Sequence, residues 1–552
     1  MSTVSAGTQA DPTVQRPWAA LGALLAGLSI IIIDGSVVNV LLPDMVNDIG
    51  LTQTDAQWVN SIYSLIFAAL LITVGSFADR YGRRKLFLIG TVVFMAASLG
   101  SASAGDASVL IGFRAVQAMG ASMMLPSSIA VINVLFTGER RAAAFGLWGA
   151  VFGGAAALGP LLGGFLAEEF SWRWAFLINI PVGLAAAVAV MAFVPETRGP
   201  RGNGFDPVGI VLSTTGLALV VFGLIEAQNY GWWTATSDFD LGPLSIHTGG
   251  LSIVPMALGL GVVLIVALVG WEEMRGSRGK AQLFRLDLFG IRRYGFGNVV
   301  ALVVSLGEFG ILFALPLWIQ SVHGFDPLVT GAILATLAIG TLSSGGAARH
   351  VSAAIGATWV VRLGMVLEIV GIVVIGATVS VTRSPWWLVV GLIVYGLGVG
   401  FATAQLTNVV LEDVPDESSG QASAMTSTFR QVGSALGAAC LGAVLFGSLG
   451  LNLSSALESE QDLPSAQADR IATAVRESAG QAITKLDEVP ELAPEADDSK
   501  VAFTEATRTT AWVAAAFVFL GLLVSFGLPT STRGPEEPVG ARTAGRDASA
   551  EP

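Results

Sequence analysis

The feature that most constrains this chain is a series of apolar windows, each long enough to cross the hydrocarbon of a bilayer as a helix of about 20 residues. Fourteen occur, at approximately 17–43, 57–78, 86–104, 107–132, 143–167, 173–195, 207–227, 252–271, 295–321, 327–348, 358–381, 385–411, 420–449 and 509–528. The runs are continuous rather than alternating, which excludes a membrane β-barrel. They are rich in glycine and alanine, as expected where helices pack backbone to backbone. Of 552 residues, 53% are hydrophobic and 13% charged, and mean hydropathy is +0.69. A soluble domain carries about 25% charged residues, so a soluble enzyme is excluded. The expected fold is an all-α polytopic membrane protein.

Charge sets the orientation. Net charge is −12, but residues 451–508 alone hold 12 acids and 5 bases, so the sign says little about the embedded part. With the N-terminus inside, short cytoplasmic loops carry fifteen basic residues, among them Arg80, Arg83, Arg84, Lys85, Arg140, Arg141 and Arg349, against Arg173 and Arg383 outside. By the positive-inside rule the protein is expected in the cell membrane as a multi-pass chain with both termini cytoplasmic. The acidic loop 450–508 then faces out, and Ile471, Val475, Ala479 and Ile483 within it predict a short amphipathic helix. Residues 1–16 are polar, with no cleavable leader, and the polar tail after Pro529 is expected to be disordered. Cys440, the one cysteine, excludes an intrachain disulfide.

Five segments carry motifs. Gly75-Ser-Phe-Ala-Asp79-Arg80-Tyr-Gly82-Arg83-Arg84-Lys85 lies between the second and third windows. Its glycines permit a tight turn and Asp79 suits a helix start. Ile33-Asp34-Gly-Ser-Val-Val-Asn39-Val-Leu-Leu-Pro43 lies in the first window, Arg114-Ala-Val-Gln117 in the fourth and Gly159-Pro160-Leu-Leu-Gly163-Gly164 in the fifth. Trp172-Arg-Trp-Ala-Phe-Leu-Ile-Asn179-Ile-Pro181 opens the sixth. Together these resemble the major facilitator superfamily, and within it the fourteen-span drug:proton antiporters. Ala155, where the antiporter motif ordinarily has glycine, Ala118, and a degenerate second copy of the Asp79 loop near Arg349 depart from the pattern.

The resemblance implies a major facilitator fold: two six-helix bundles at 17–195 and 295–528, the latter including loop 450–508, with two inserted helices and their flanking loops at 196–294. Tails occupy 1–16 and 529–552. It implies a conformational latch at Gly75, Asp79, Arg80, Gly82, Arg83 and Arg84, and an antiporter motif at Gly159, Pro160, Gly163 and Gly164 that kinks and seals. It also implies a ninth span lining the central cavity and a peripheral eleventh.

Charges buried in the apolar windows need a reason, since a carboxylate at bilayer depth costs about 2.5–3.5 kcal/mol on insertion scales. Asp34, among Ile30–Ile33 and Val37–Val38, can exchange a proton, the alternative being a fixed ion pair with Arg114. Arg114 cannot deprotonate and can only tune a neighbour, so the two are the candidate proton-coupling pair. Glu308 is the foremost second-half carboxylate, a site for cations or a second proton. Asn39, Gln117, Gln405, Asn408 and Arg430 complete the expected substrate cavity, while Glu368 and Glu226 are weaker candidates.

No phosphate-binding Gly-x-x-x-x-Gly-Lys-Ser/Thr loop occurs, so a proton gradient, with no cofactor and no metal, is the expected energy source. The three histidines, His247, His323 and His350, form no zinc motif, and no Gly-x-Ser-x-Gly elbow is found; a membrane enzyme is the remote alternative. The expected activity is export of lipophilic, often cationic drugs, dyes or antibiotics by a monomer whose partners are small molecules, protons and lipid, not nucleic acid. The competing reading is export of one endogenous lipid or secondary metabolite.

Overall fold

A computed structural model describes residues 16–529 apart from 52, 199–205, 236–238, 242–243, 247–249, 281, 416–417, 461–462 and 479. The expected tails therefore lie almost wholly outside the described residues, as do the side chains of Asn39, Pro160 and a few other helical residues.

The first half consists of α1 (Pro17–Ile49), α2 (Gln53–Tyr81), α3 (Arg83–Ala102), α4 (Ala107–Leu135), α5 (Gly138–Glu169), and the short α6 (Arg173–Leu177) running into α7 (Asn179–Phe193). Then come α8 (Pro207–Tyr230), a hairpin of β1 (Phe239–Leu241) and β2 (Leu244–Ile246), and α9 (Ile253–Ser277). The second half holds α10 (Arg292–His323), α11 (Pro327–Ile355), α12 (Ala357–Thr378), α13 (Leu388–Leu411), α14 (Ser419–Glu460), α15 (Ser465–Glu477), α16 (Gln481–Asp487) and α17 (Ala493–Ser525).

Sequence punctuation explains many boundaries. Pro17, Pro207 and Pro327 occupy first turns, where a missing N–H costs nothing. Asp106, Asp206, Ser252 and Asp326 each accept a backbone N–H of the helix they open. Gly50 and Gly324 close α1 and α10 in the left-handed conformation.

Twelve described helical stretches are long and apolar enough to cross a membrane. The expected fifth and ninth spans are the 32-residue helices α5 and α10, long enough at about 48 Å each but outside those twelve. The structure is helical throughout apart from the hairpin, a small departure from the all-α expectation.

Three boundaries differ from the apolar windows. α14 runs unbroken for 42 residues to Glu460, and α17 begins at Ala493, so most of the expected loop 450–508 is helix. Hydropathy misses these extensions because they pack on protein: Leu449, Leu453 and Leu457 of α14 are buried with Ala468, Ala472 and Val475 of α15. The one expected amphipathic helix is two, separated at Gly480, whose φ is +91°. The sixth span is broken between α6 and α7, two residues before Pro181.

In the first half α1 packs on α5 and α7, α2 on α4, and α3 on α4 and α7. In the second, α10 packs on α14 and α17, α11 on α13, and α12 on α13 and α17. α8 and α9 pair with each other, and α8 leans on α2 and α14. The halves meet where α5 lies along α11 and α13, and α2 along α14. α9 turns Met256, Val262, Val263 and Val266 outward, the surface a helix offers to lipid. We call the end holding Asp79, Arg83 and Arg141 the basic end.

Glycine makes the closest contacts. A Cβ on Gly371 of α12 would stand 2.4 Å from the backbone nitrogen of Tyr395 on α13, whereas one on Gly346 meets nothing within 4 Å. Gly371→Ala is expected to destabilise the protein by about 1–3 kcal/mol, the ordinary overpacking cost, and Gly346→Ala to leave it unchanged. Thermal unfolding of the detergent-solubilised variants checks this; equal melting temperatures would refute the backbone contact.

Candidate functional site

Five helices of the first half converge on Asp34. It lies midway along α1 at 2% exposure, with Arg114 at 1% and Gln117 at 0%. Arg114 Nη1 donates to Asp34 Oδ2 at 2.5 Å, while Oδ1 accepts from Gln117 Nε2 at 2.7 Å and Asn179 Nδ2 at 3.0 Å. Both amides also reach Ser98 Oγ of α3, at 2.9 and 3.2 Å. Arg114 Nη1 donates to Gln117 Oε1 at 2.8 Å and its Nε to the Val59 carbonyl of α2 at 3.3 Å. Its guanidinium sits 4.4 Å from the Tyr63 ring centroid. The position of Gln117 one turn from Arg114 follows from i, i+3 spacing. Burial of this pair is tolerable because both carboxylate oxygens have donors.

Asp34 is the one carboxyl of the cluster. Arg114 stays charged, and the amides and the Ser98 hydroxyl do not titrate. Neutralising Asp34 would leave Arg114 without its counter-charge and remove one acceptor from the cluster. Asp34 and Arg114 were expected here as a pair, whereas Gln117 was expected in the substrate cavity. Asn179 lay in a recognised segment, but its role as donor was missed, as were Ser98 and Tyr63.

The Asp79 segment forms a second cluster, and it joins the two halves. Arg83 donates through Nε at 2.9 Å and Nη2 at 2.8 Å to Asp79 Oδ1. Asp79 Oδ2 accepts the Gln421 backbone N–H, in the first turn of α14, at 3.0 Å. A carboxylate at a helix N-terminus meets both orphan N–H groups and the positive end of the dipole. Gly420 is required there: a Cβ would lie 2.0 Å from Asp79 Oδ1. Gly75 fits against Ala424 and the Gly420 carbonyl. Gly82, the one residue between α2 and α3, has φ +117° and faces the Glu196 carboxylate. Glu196 accepts the Arg84 and Lys85 N–H groups at 3.2 and 3.1 Å, so α3 is also capped by a distant acid. Arg84 binds the Met191 carbonyl at 3.0 Å. Arg80 is exposed and lies by the Tyr81 ring, outside the Asp79–Arg83 ion pair. Gln421 and Glu196 had no local signal: Gln421 donates its backbone N–H to an acid remote in sequence, and Glu196 caps a helix remote in sequence.

The same end carries further bonds between halves. Asn133 donates to Ser419 at 2.8 Å and Arg141 to Asn408 at 3.0 Å. Asn408, expected on the cavity wall, thus stands in this seam.

In the second half, Arg430 of α14 lies 3.8 Å from Glu308 of α10, with the Thr403 hydroxyl 3.5 Å from the same carboxylate. Arg430 also faces the Phe152 ring of α5 at 5.7 Å, and Phe152 stacks on Trp148 at 5.1 Å. The Glu308–Arg430 pair thus adjoins aromatic residues of the opposite half at mid-depth. Glu368 on α12 is fully buried, and neither carboxylate oxygen has a hydrogen-bond partner among the described residues. It stands within electrostatic range of Glu308 and Arg430, closer to the centre than a peripheral helix suggested. Gln405 is buried on α13.

The antiporter segment packs on α1. A Cβ on Gly159 would lie 1.8 Å from Ser36 Oγ, two residues from Asp34. Gly163 and Gly164 are buried. Among the described residues no group of three His, Cys, Asp or Glu side chains can hold a metal ion.

If the Asp79 cap holds the basic end together, Asp79→Asn is expected to loosen it, since caps and dipole contacts contribute about 0.5–2 kcal/mol. In a Cys440→Ser background with Ala422→Cys as reporter, buried in α14, maleimide labelling should rise severalfold on Asp79→Asn. Unchanged labelling would remove the latch role.

Comparison with known proteins agrees with this architecture. Residues 24–438 match the Major Facilitator Superfamily model. The chain is 32% identical to a protein of Streptomyces coelicolor described as a probable actinorhodin transporter, over 96% of this chain and 94% of the relative. It is 29% identical to the multidrug efflux pump LfrA of Mycolicibacterium smegmatis, over 95% and 99%. The puromycin resistance protein pur8 of Streptomyces alboniger is 32% identical over 78% and 82%. Among solved structures, the human organic anion transporter MFSD10 superposes with TM-score 0.58 at 13% identity, over 92% of this chain and 99% of that one. The proton:xylose symporter XylE gives 0.53 at 13%, over 86% and 96%; both show the fold alone. With the family model spanning most of the chain and the helices packed as that fold requires, this protein belongs to the major facilitator superfamily and is a transporter.

Proposed function

We propose that the chain is a proton-driven antiporter that exports lipophilic, often cationic drugs, dyes or antibiotics from the cytoplasm or inner leaflet. It works as a monomer without a bound cofactor, with both termini cytoplasmic. The observation that carries this reading is Asp34: one titratable carboxyl, buried mid-helix and held by Arg114, Gln117 and Asn179 from two other helices. Relatives across nearly the whole chain are named a probable actinorhodin transporter and a multidrug efflux pump, and the second name supports export as the direction of transport.

The cycle follows alternating access between the two halves. With the basic end in the cytoplasm, the Asp79, Asn133 and Arg141 contacts close the inner side. Protonation of Asp34 from outside weakens its hold on Arg114, releases substrate and permits return. Deprotonation inside restores the pair and substrate affinity. Glu308 and Arg430, beside Phe152 and Trp148, suit the recognition of a flat cation: an acid for charge and rings for stacking. Gly159 lets α5 slide against α1 next to Asp34, so the seal and the proton site move together.

The probable actinorhodin transporter among the relatives favours a second reading, a dedicated exporter of one secondary metabolite. A growth-inhibition panel separates the two: protection against several unrelated compounds supports the broad exporter, and protection against one scaffold supports the dedicated one.

Dye efflux into energised inverted vesicles tests the coupling. Asp34→Asn, which keeps the shape but, like the protonated acid, offers one acceptor and one donor, is expected to insert normally and to lose pH-gradient-driven efflux by ~10-fold or more, the equivalent of ~1.4 kcal/mol of coupling. Proton-dependent efflux at the wild-type rate would overturn the assignment of Asp34. Glu308→Gln is expected to weaken cationic dyes more than neutral substrates, read as a selective rise in KM.

A further inference from the structure

At the basic end a cleft of about 330 Å³ opens between α1, α5 and α11, lined by Trp18, Arg140, Ala143, Arg349, His350 and Ala353. Arg140 comes from the first half and Arg349 and His350 from the second. All three are exposed, and no described carboxylate pairs with either arginine. Two guanidinium groups facing one concavity across the seam repel each other, which opposes closure of this end unless an anion sits between them.

The surroundings define what kind of anion. Along α5, Arg140 and Ala143 are followed one turn deeper by exposed Leu147; along α11, exposed Ile339 and Leu342 precede Arg349 and His350 on one face. Leu342 reaches α5, 3.4 Å from where a Cβ on Gly154 would stand. Both helices thus run from apolar to basic toward their ends, meeting in one groove. Trp18, 46% exposed with its ring 5.0 Å from Phe136, supplies the amphipathic ring typical of the headgroup level. A soluble anion needs only the arginines, whereas an amphiphile uses the apolar approach as well.

We propose that this cleft binds the headgroup of an anionic phospholipid, the phosphate between Arg140 and Arg349 and one acyl chain along Leu147 and Leu342. The lipid bridges the halves and stabilises the arrangement in which the basic end is closed. Basic pockets between membrane helices on the cytoplasmic side suit such headgroups, and the forked guanidinium binds phosphate bidentately. The site is separate from the Asp34 cluster and independent of the proposed substrate.

Thermal unfolding of the full chain in detergent tests it, with phosphatidylglycerol, phosphatidylcholine or inorganic phosphate added. Phosphatidylglycerol is expected to raise the melting temperature by several degrees over phosphatidylcholine, and Arg140→Gln/Arg349→Gln to abolish that increment. Arg278→Gln/Arg292→Gln, which removes two exposed charges from the same end but outside the cleft, should retain it. An equal increment in wild type and Arg140→Gln/Arg349→Gln would overturn the site. The same increment from inorganic phosphate alone would overturn the lipid as its ligand and leave a soluble anion.

Discussion

The Asp79 carboxylate has two oxygens and spends them on different halves of the molecule. One holds the Arg83 fork, and the other closes the first turn of α14. Everything else at the basic end depends on that division. Gly420 must lack a side chain for the carboxylate to reach the helix, and Gly75 must lack one for α2 to approach α14. Asn133–Ser419 and Arg141–Asn408 then fall into hydrogen-bond distance. Helix dipole contacts fade within a turn, so a small separation of the halves ends the interaction. Such a contact suits a switch: strong when closed and lost quickly on opening.

The Asp34 cluster obeys a complementary logic. Inside a membrane protein a polar group cannot fall back on water, so each must find its partner in another helix. Asp34, Arg114, Gln117, Asn179 and Ser98 close a network across α1, α3, α4 and α7, and Arg114 extends it to the Val59 carbonyl of α2. Removing one charge of a buried pair costs about 3–5 kcal/mol. On the proposed function, a protonation event there is mechanically consequential. In the second half, Glu368 is buried with no hydrogen-bond partner among the described residues.

Much of this was legible in the sequence, for a physical reason. A bilayer makes polar residues rare within spans, so Asp34, Arg114, Gln117 and Glu308 stood out against their apolar neighbours, and the glycine-bounded Asp79 loop marked itself by spacing. What escaped was long-range or locally ordinary. Ser98 is one of many serines, and Tyr63 one more aromatic in an apolar run. Gln421 meets its acceptor, Asp79, and Glu196 the helix end it caps, far away in sequence. The polar ends of α14 and α17 carry no hydropathy signal because they rest on protein rather than lipid. Asn408 was assigned to the cavity from polarity alone, and only packing reveals that it faces Arg141.

α14 ties these observations into one part. Its 42 residues make a rod about 63 Å long, roughly twice the hydrocarbon thickness. One end is gripped by Asp79, Arg430 lies near its first third, and Leu453 and Leu457 carry α15 at the far end. A stiff rod pivoting in the membrane moves its ends in opposite directions. On the alternating-access reading, release of the basic end by a few degrees swings α15 as a lever arm does, and the motions of the two ends become strokes of a single component.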